Sequence, residues 1–210
     1  MKRYFITGTD TNCGKTYVCC TLLKHFQKKR QPALAIKPIS TGVESDVLEL
    51  QKHNPPTEQT ICRWSFRPPI APHLAAEAAG ERIFAQEISA FCQDPCFNGY
   101  DPLLIEGAGG LMVPLNPQET WIDFLKISQI PILLVVGIRL GCINHALLSN
   151  LAIQIHGLPY RGWIANCLDP EMAEIQSNIK TIEQKMSAPL LGTISFGGMI
   201  SESDQFLALC

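Results

Sequence analysis

The segment from Gly8 to Thr16 constrains this chain more than any other. It reads Gly-Thr-Asp-Thr-Asn-Cys-Gly-Lys-Thr and directly follows the apolar residues 4–6. A glycine-rich loop between a strand and a helix turns its backbone N–H groups inward, where they bind phosphate. In such a loop Lys15 contacts the β- and γ-phosphates, and the Thr16 hydroxyl binds Mg²⁺. The sequence therefore predicts a site for a nucleoside triphosphate.

The loop is one residue longer than the common form of this motif. Five residues separate Gly8 from Gly14, where the common form has four. This spacing indicates a variant subgroup of phosphate-binding loops. Apolar residues at helical spacing follow over 16–27, so the loop has the helix after it that a chance match would lack.

Composition limits the classes of protein that fit. A chain of 210 residues with 46% apolar and 17% charged residues suits one domain, 1–210, with a sheet covered on both faces. The net charge of −2 without a basic block argues against a nucleic-acid partner. We expect neither a membrane span nor a signal peptide. The nine cysteines form no CxxC pair, which predicts reduced thiols in a cytoplasmic protein.

Strand-like and helix-like segments alternate along the chain. They predict an α/β fold, namely a P-loop NTPase-like, doubly wound, mainly parallel sheet with helices on both faces. Strands are predicted at 4–7, 33–37, 102–106, 132–136, 161–165 and 190–194. Helices are predicted at 15–28, 46–53, 85–93, 121–128, 143–156 and 171–186. The proline-rich and polar residues 54–72 predict a long loop over the active site.

Residues that suit chemistry fall at the ends of these predicted strands, where ligands bind in such sheets. Lys37 is either a solvated lysine or, beside the phosphate loop, a cation that stabilises charge during phosphoryl transfer. Glu106 is placed to help hold Mg²⁺, and the glycines after it let the backbone approach a ligand. Asp46 is either a further metal ligand or a helix cap. Asn166 follows the predicted strand 161–165.

A second helix start lies at residues 141–145, which read Gly-Cys-Ile-Asn-His. Free N–H groups at a helix start bind carboxylates, and the helix dipole adds to the attraction. A simple helix cap by Asn144 or His145 is the alternative interpretation.

With these motifs in order along nearly its whole length, the chain resembles the ATP-dependent dethiobiotin synthetase family. The resemblance rests on Thr-Gly-Thr-Asp-Thr at 7–11, Gly-Lys-Thr at 14–16, Lys-Pro at 37–38, Thr-Gly at 41–42, Pro-His at 72–73, Glu-Gly-Ala-Gly-Gly at 106–110, Leu-Gly-Cys-Ile-Asn-His-Ala at 140–146, Gly-Trp-Ile-Ala-Asn at 162–166 and Pro-Leu-Leu-Gly at 189–192.

The resemblance implies a defined reaction within biotin biosynthesis. A cyclo-ligase of this family forms C–N bonds from 7,8-diaminononanoate (7,8-diaminopelargonate), CO₂ and ATP, with Mg²⁺ as cofactor. The products are dethiobiotin, ADP and phosphate, and the intermediates are a carbamate and a phosphorylated carbamate. The resemblance also implies a homodimer in which the substrate carboxylate is bound across the subunit interface.

It further implies roles for particular residues. Lys37 and Lys15 would be catalytic, and Thr16, Asp46 and Glu106 would hold Mg²⁺. The implied ATP contacts are Asn12, Cys13, Gly14, Lys15, Thr16, Tyr17, Asp46, Glu106, Gly107, Ala108, Gly109 and, at the adenine edge, Asn166. The implied substrate contacts are Thr11, Lys37, Thr41, Gly141, Cys142 and Asn144, the last three from the partner subunit.

The chain departs from the family pattern at several positions, among them Thr41, where serine is common. Asn12 and Cys13 replace the usual residues of the loop, and residues 193–196 lack the proline expected in a turn that contacts adenine.

Two functions outside this family compete with the interpretation. A partitioning-type switch ATPase would carry a signature lysine five residues before Lys15, where this chain has Asp10. A small-molecule kinase would share the loop and metal site, but it would release a phosphorylated product without using CO₂.

Overall fold

The computed structural model describes residues 1–42 and 45–202 and has a twisted sheet at its centre. The strands are β1 (Arg3–Gly8), β2 (Leu34–Ile36), β3 (Ile39–Thr41), β4 (Trp64–Phe66), β5 (Leu103–Glu106), β6 (Ile132–Ile138), β7 (Tyr160–Cys167), β8 (Leu190–Ile194) and β9 (Ile200–Glu202). The main sheet has the order β2-β5-β1-β6-β7-β8-β9, and β3 pairs with β4 in a separate two-stranded sheet. Every pairing is parallel except that of β8 with β9.

Helices connect most of these strands. They are α1 (Lys15–Lys28), α2 (Ser45–His53), α3 (Pro72–Ala78), α4 (Ala85–Cys92), α5 (Trp121–Ser128), α6 (Cys142–Ile155) and α7 (Ile175–Glu183), with a short 3-10 helix at Pro95–Phe97. The longest, α1 and α6, have 14 residues each. Within the described ranges no helix is both long enough and apolar enough to cross a bilayer.

The predicted fold class and the six predicted strands of the parallel sheet are confirmed. The prediction of a continuous loop over 54–72 is wrong, because this segment contains β4, whose Trp64 pairs in register with Ile39 of β3. β3 and β4 were not predicted, because each has three residues with polar ones among them, whereas the equally short β2 lies in the continuous apolar run Ala33 to Ile36. The helix predicted at 171–186 is shorter in the structure and spans only Ile175–Glu183.

The order of the strands determines where a ligand can bind. β1 lies between β5 and β6 in the sheet. After β1 the chain adds β2 and β5 on one side of it and then crosses to add β6 on the other side. The loops that follow β1, β2 and β5 therefore open around a topological switch point, which is the usual ligand position in sheets of this kind.

A buried aromatic cluster supports this edge of the sheet. The ring of Phe5 on β1 lies 5.1 Å from Trp121 and 5.2 Å from Phe124, measured between centroids. The Trp121 Nε1–H donates to the Ala108 carbonyl oxygen at 2.9 Å. All seven residues of β6 are buried, as expected for a strand covered on both faces. The core thus anchors the glycine-rich turn after β5.

Candidate active site at the carboxyl edge of the sheet

The phosphate loop is built as the sequence predicts. It leaves β1 at Gly8 and enters α1 through Gly14, whose φ of 91° is left-handed and suits glycine. A side chain at this position would also collide, since a Cβ on Gly14 would lie 2.1 Å from Asn166 Nδ2. Among the described residues no side chain caps the start of α1. Its first N–H groups are therefore available for an anion.

Four side chains from different elements meet beside this loop. Lys37 Nζ lies 2.7 Å from Glu106 Oε1 and 2.5 Å from Asp46 Oδ2. The Thr16 hydroxyl donates to the same Glu106 oxygen at 2.8 Å. Lys37 and Glu106 are only 5% and 1% exposed. Of the four strand ends predicted to converge on one edge of the sheet, those of β1, β2 and β5 contribute to the cavity lining, whereas Asn166 of β7 does not. The alternative of a solvated Lys37 is excluded.

The charges of this cluster depend on one another. Burial lowers the pKa of the Lys37 ammonium, but the Glu106 and Asp46 carboxylates raise it more, so its pKa lies above the ordinary lysine value. Lys37 therefore remains a cation at neutral pH. It places a fixed positive charge, shielded from water, next to the phosphate loop, where it can stabilise negative charge that develops on oxygen.

The oxygen atoms of this cluster form a donor set that suits Mg²⁺. Glu106 Oε2 is buried and has no hydrogen-bond partner, although Oε1 of the same carboxylate accepts two hydrogen bonds. Leaving a buried carboxylate oxygen without a partner is costly, and a bound cation would remove that cost. Together with the Thr16 hydroxyl and Asp46, it supplies the hard oxygen ligands that Mg²⁺ prefers. The residues present therefore fit the ion.

A cavity of about 780 Å³ opens over this cluster. It brings together most of the predicted site residues, which are Thr11, Asn12, Gly14, Lys15, Thr16, Tyr17, Lys37, Thr41, Asp46, Glu106, Ala108 and Gly109. The Tyr17 hydroxyl donates to the Gly198 carbonyl at 2.7 Å, so it also joins α1 to the turn before β9.

Sequence reasoning missed the apolar wall of the cavity. Pro69, Ile70, Ala71, Pro72 and Val113 line it in addition to the charged residues. The segment 54–72 does reach the site, as predicted, but through its last residues rather than as one long loop. No charge or motif marked these positions except the Pro-His pair at 72–73.

Several predicted residues lie outside the cavity lining. Gly107 packs on the Phe5 ring, and Cys13 is a buried residue of the phosphate loop. Asn166 is the penultimate residue of β7 rather than part of the loop after it, which corrects the predicted strand end. Its Nδ2 donates to the Cys13 carbonyl oxygen at 2.9 Å, so Asn166 fixes the backbone of the phosphate loop.

The second helix start also lies apart from the cavity. Gly141 directly precedes α6 and has a φ of 91°. Among the described residues no side chain caps this helix, so the alternative of a cap by Asn144 or His145 is excluded. Cys142 is buried and Asn144 exposed. An ion pair joins this loop to the phosphate loop, because the Arg139 guanidinium contacts the Asp10 carboxylate. Asp10 thus faces a cation of its own chain at the position where a switch ATPase would carry lysine.

Comparisons with solved structures agree with this fold. Solved structures with the same fold include chloroplast FtsY from Physcomitrella patens (TM-score 0.59, 17% identity, 99% of this chain and 63% of that chain) and the MinC:MinD cell division complex from Aquifex aeolicus (TM-score 0.56, 14% identity, 100% and 84%). Fold and site together define an α/β protein with a P-loop for nucleotide phosphates.

Relatives in sequence narrow this class. A family described as "AAA domain" matches residues 2–202. The ATP-dependent dethiobiotin synthetase BioD of Legionella pneumophila (strain Lens) is 47% identical, covering 96% of this chain and 97% of the relative. The enzyme of the same name from Nitrosospira multiformis is 39% identical, covering 93% and 88%. The chain belongs to the ATP-dependent dethiobiotin synthetase family.

Proposed function

We propose that this protein is a cyclo-ligase that converts 7,8-diaminononanoate, CO₂ and ATP into dethiobiotin, ADP and phosphate in biotin biosynthesis. The observation that carries the proposal is the buried Lys37 ammonium, held by Glu106 at 2.7 Å beside the phosphate loop. Each step of this reaction builds negative charge on oxygen, and a fixed, desolvated cation stabilises such charge. Membership of the dethiobiotin synthetase family supports the same substrates.

The reaction needs three bond-forming steps. A neutral amine nitrogen attacks the carbon of CO₂ and loses a proton, which gives a carbamate. A carbamate oxygen then takes the γ-phosphoryl group of ATP, and ADP leaves. Finally the second amine attacks the carbamoyl carbon and loses a proton, phosphate leaves, and a five-membered cyclic urea closes. In this scheme Lys37 stabilises the carbamate and the transferred phosphoryl group, and Lys15 steadies the phosphates.

Nucleotide and metal would bind along the start of α1. The proposed phosphate contacts are the backbone N–H groups from Asn12 to Tyr17 and the turn Gly107 to Gly109. Thr16, Asp46 and Glu106 would hold Mg²⁺, an ion that neutralises charge on the β- and γ-phosphates. The unpartnered Glu106 oxygen supports this assignment. For Asn166 we propose a contact with the adenine edge in addition to its hydrogen bond to the loop.

The diamine would lie in the remaining part of the cavity. Thr11 and Thr41 line it together with Lys37, and their hydroxyls suit the two amines. Ile70 and Val113 offer an apolar surface to the aliphatic chain of the substrate.

The substrate carboxylate would bind to a second copy of this chain. In the proposed homodimer, Gly141, Cys142 and Asn144 of one subunit meet the carboxylate bound by the other. Two observations support this arrangement. The uncapped start of α6 can accept an anion. The helix also exposes Leu148, Leu151 and Ile155 at helical spacing, a stripe that a partner subunit would cover.

A cytoplasmic location is part of the same proposal. The eight cysteines of the described residues are free thiols, which suits a reducing compartment. ATP, which the reaction consumes, is also available there.

One assay tests the reaction. The protein is incubated with 7,8-diaminononanoate, ATP, Mg²⁺ and ¹⁴C-bicarbonate, and we expect acid-stable label in a cyclic urea. ATP hydrolysis without this product would contradict the proposal and favour a switch ATPase. A phosphorylated amine that forms without added bicarbonate would instead identify a small-molecule kinase.

A further inference from the structure

A second group of ligating side chains lies between α1 and α2. Cys20, Glu49 and His53 each place one ligand atom within 4.8 Å of the other two. Cys20 is buried, and the other two residues are half-buried. We propose that this group binds a thiophilic divalent cation, with Zn²⁺ as the ion of best fit. The site is separate from the proposed Mg²⁺ site and does not depend on the ligase reaction.

The ligand chemistry selects the ion. A thiolate, an imidazole and a carboxylate are the three ligand types that proteins offer to zinc. Mg²⁺ instead prefers an octahedron of oxygen ligands and binds sulfur poorly. Three protein ligands leave one position of a tetrahedron open for water or a small ligand. The group of Cys20, Glu49 and His53 therefore favours Zn²⁺ over Mg²⁺, the ion proposed for the site at Thr16, Asp46 and Glu106.

Helix geometry explains why these residues meet. Glu49 and His53 are four residues apart on α2 and share one face, and Cys20 faces them from α1. Cys20 follows Thr16 by four residues, and Glu49 follows Asp46 by three. The group thus repeats, one helical turn further along both helices, the pairing that forms the proposed Mg²⁺ site.

The movement needed for coordination is small. Tetrahedral zinc bonds of about 2.0–2.3 Å place ligand atoms roughly 3.5 Å apart. The atoms here lie no more than 4.8 Å apart, and His53 Nδ1 is already 3.6 Å from Glu49 Oε1. Changes of side-chain rotamer at the helix surface can supply the remaining distance of about 1 Å.

Several groups compete with the cation. Lys52 Nζ lies 3.0 Å from Glu49 Oε2, and His53 Nδ1 lies 2.9 Å from the Glu49 carbonyl oxygen. The Lys24 charge also acts on Glu49 and on Cys20. Lys52 is 70% exposed and can turn into solvent, so its departure costs little.

The thiol must lose its proton when it binds the ion. Burial and the Glu49 charge raise the pKa of Cys20 to about 12, so without a cation Cys20 is a neutral thiol. When the sulfur–metal bond forms, this proton passes to the buffer. Burial thus lowers the affinity of the group without removing its preference for a thiophilic ion.

Co²⁺ serves as a spectroscopic probe for this site. The full-length protein is titrated with Co²⁺ in saturating Mg²⁺, so that the oxygen site is filled. A thiolate–Co²⁺ charge-transfer band in the near ultraviolet is expected. Cys20→Ser should abolish it, and the matched variant Cys96→Ser, which changes an exposed cysteine, should retain it. His53→Gln should raise the Kd at least about tenfold, and Lys52→Ala should lower it about twofold to fivefold.

Three results would overturn the proposal. They are the absence of a charge-transfer band in the unmodified protein, a band of full intensity in Cys20→Ser, and a band that Cys96→Ser removes. If Cys20→Ser does not fold, as judged by circular dichroism, His53→Gln decides the question. An unchanged Kd for Co²⁺ in that variant would contradict coordination by this group.

Discussion

Two helices of this protein begin in the same way but in different surroundings. α1 and α6 each start after a glycine with a φ of 91°, and each follows a strand of the neighbouring pair β1 and β6. No described side chain caps either helix. Both starts therefore present free N–H groups and the positive end of a helix dipole. The start of α1 lies in the cavity, whereas that of α6 does not line it.

Their surroundings explain the different uses that we propose. The start of α1 is surrounded by Lys15, Lys37 and the carboxylates that would bind Mg²⁺, so it suits a triphosphate. α6 continues into an exposed apolar stripe, and the preceding Leu140 is 93% exposed. A helix start beside a stripe of this kind is suited to work at a subunit interface. In this proposal the same backbone arrangement would bind two different anions, and the side chains around each helix start would decide which one.

The largest expected effect is at the α1 site. Lys37→Ala should lower kcat about 10²- to 10³-fold, because it removes a fixed cation from the developing charge. The Kd for ATP should change much less, since Lys15 and the backbone of the loop remain. Single-turnover assays and nucleotide titration separate the two quantities. Lys28→Ala, at the exposed far end of α1, is the matched control and should behave like the unmodified protein. Full turnover in Lys37→Ala would remove the assignment of the active-site lysine.

The two N-cap glycines provide a direct comparison of the helix starts. Alanine at either position is strained by about 1–2 kcal/mol. At Gly14 the new Cβ also meets Asn166 Nδ2 at 2.1 Å, whereas at Gly141 its nearest neighbour is His145 Cε1 at 4.0 Å. Gly14→Ala should therefore raise the Kd for ATP at least about tenfold.

Gly141→Ala should leave the Kd for ATP unchanged and raise the KM for 7,8-diaminononanoate about tenfold. Calorimetric titration of both variants with ATP and steady-state kinetics with the diamine measure these constants. Equal losses of ATP affinity in the two variants would show that the helix starts do not have separate ligands.

The smallest expected effect concerns the contact between the two loops. Asp10→Asn removes the charge that pairs with Arg139 but keeps an oxygen that can accept from Thr11 N–H, which lies 2.7 Å from Asp10 Oδ1. Both partners of the ion pair are near half-exposed, so its loss should cost less than about 1 kcal/mol, or fivefold in kcat/KM. The loss should shrink further in high salt. A loss of 100-fold would indicate that the pair determines the position of the phosphate loop.

Much of the fold could be predicted from the sequence, because most of its elements are long and periodic. The phosphate loop followed β1 with α1 after it, and the buried apolar strands identified a parallel sheet. β3, β4 and β9 escaped prediction because each is short and contains polar residues, whereas the equally short β2 was marked by a continuous apolar run. The real start of the last helix, at Ile175, was hidden because the residues before it, Glu-Met-Ala-Glu, all have a high helix propensity or fit a helical pattern.

The residue types of the candidate site could be predicted as well, but not their contacts. Lys37, Glu106 and Thr16 each lay at a predicted strand end or in the loop, so their meeting followed from topology. The contact of Lys37 with both carboxylates and the free oxygen of Glu106 depend on side-chain packing between distant segments. The wall formed by Pro69 and Ile70 carried no chemical signal in the sequence.

The central claim is that one active site for dethiobiotin synthesis uses α1 of one subunit and α6 of the other. It predicts that two inactive variants regain activity when their subunits are mixed. Lys37→Ala damages the α1 side of the site. Asn144→Glu places a carboxylate at the exposed start of α6, where it would repel the substrate carboxylate without destabilising the helix.

The decisive measurement is the formation of ¹⁴C-dethiobiotin after the two variants are mixed and their subunits exchanged. In a heterodimer one site carries both substitutions, and the other carries neither. Random exchange in equal amounts should therefore restore about one quarter of the unmodified activity. A mixture no more active than the sum of the separate variants, after verified subunit exchange, would contradict the account.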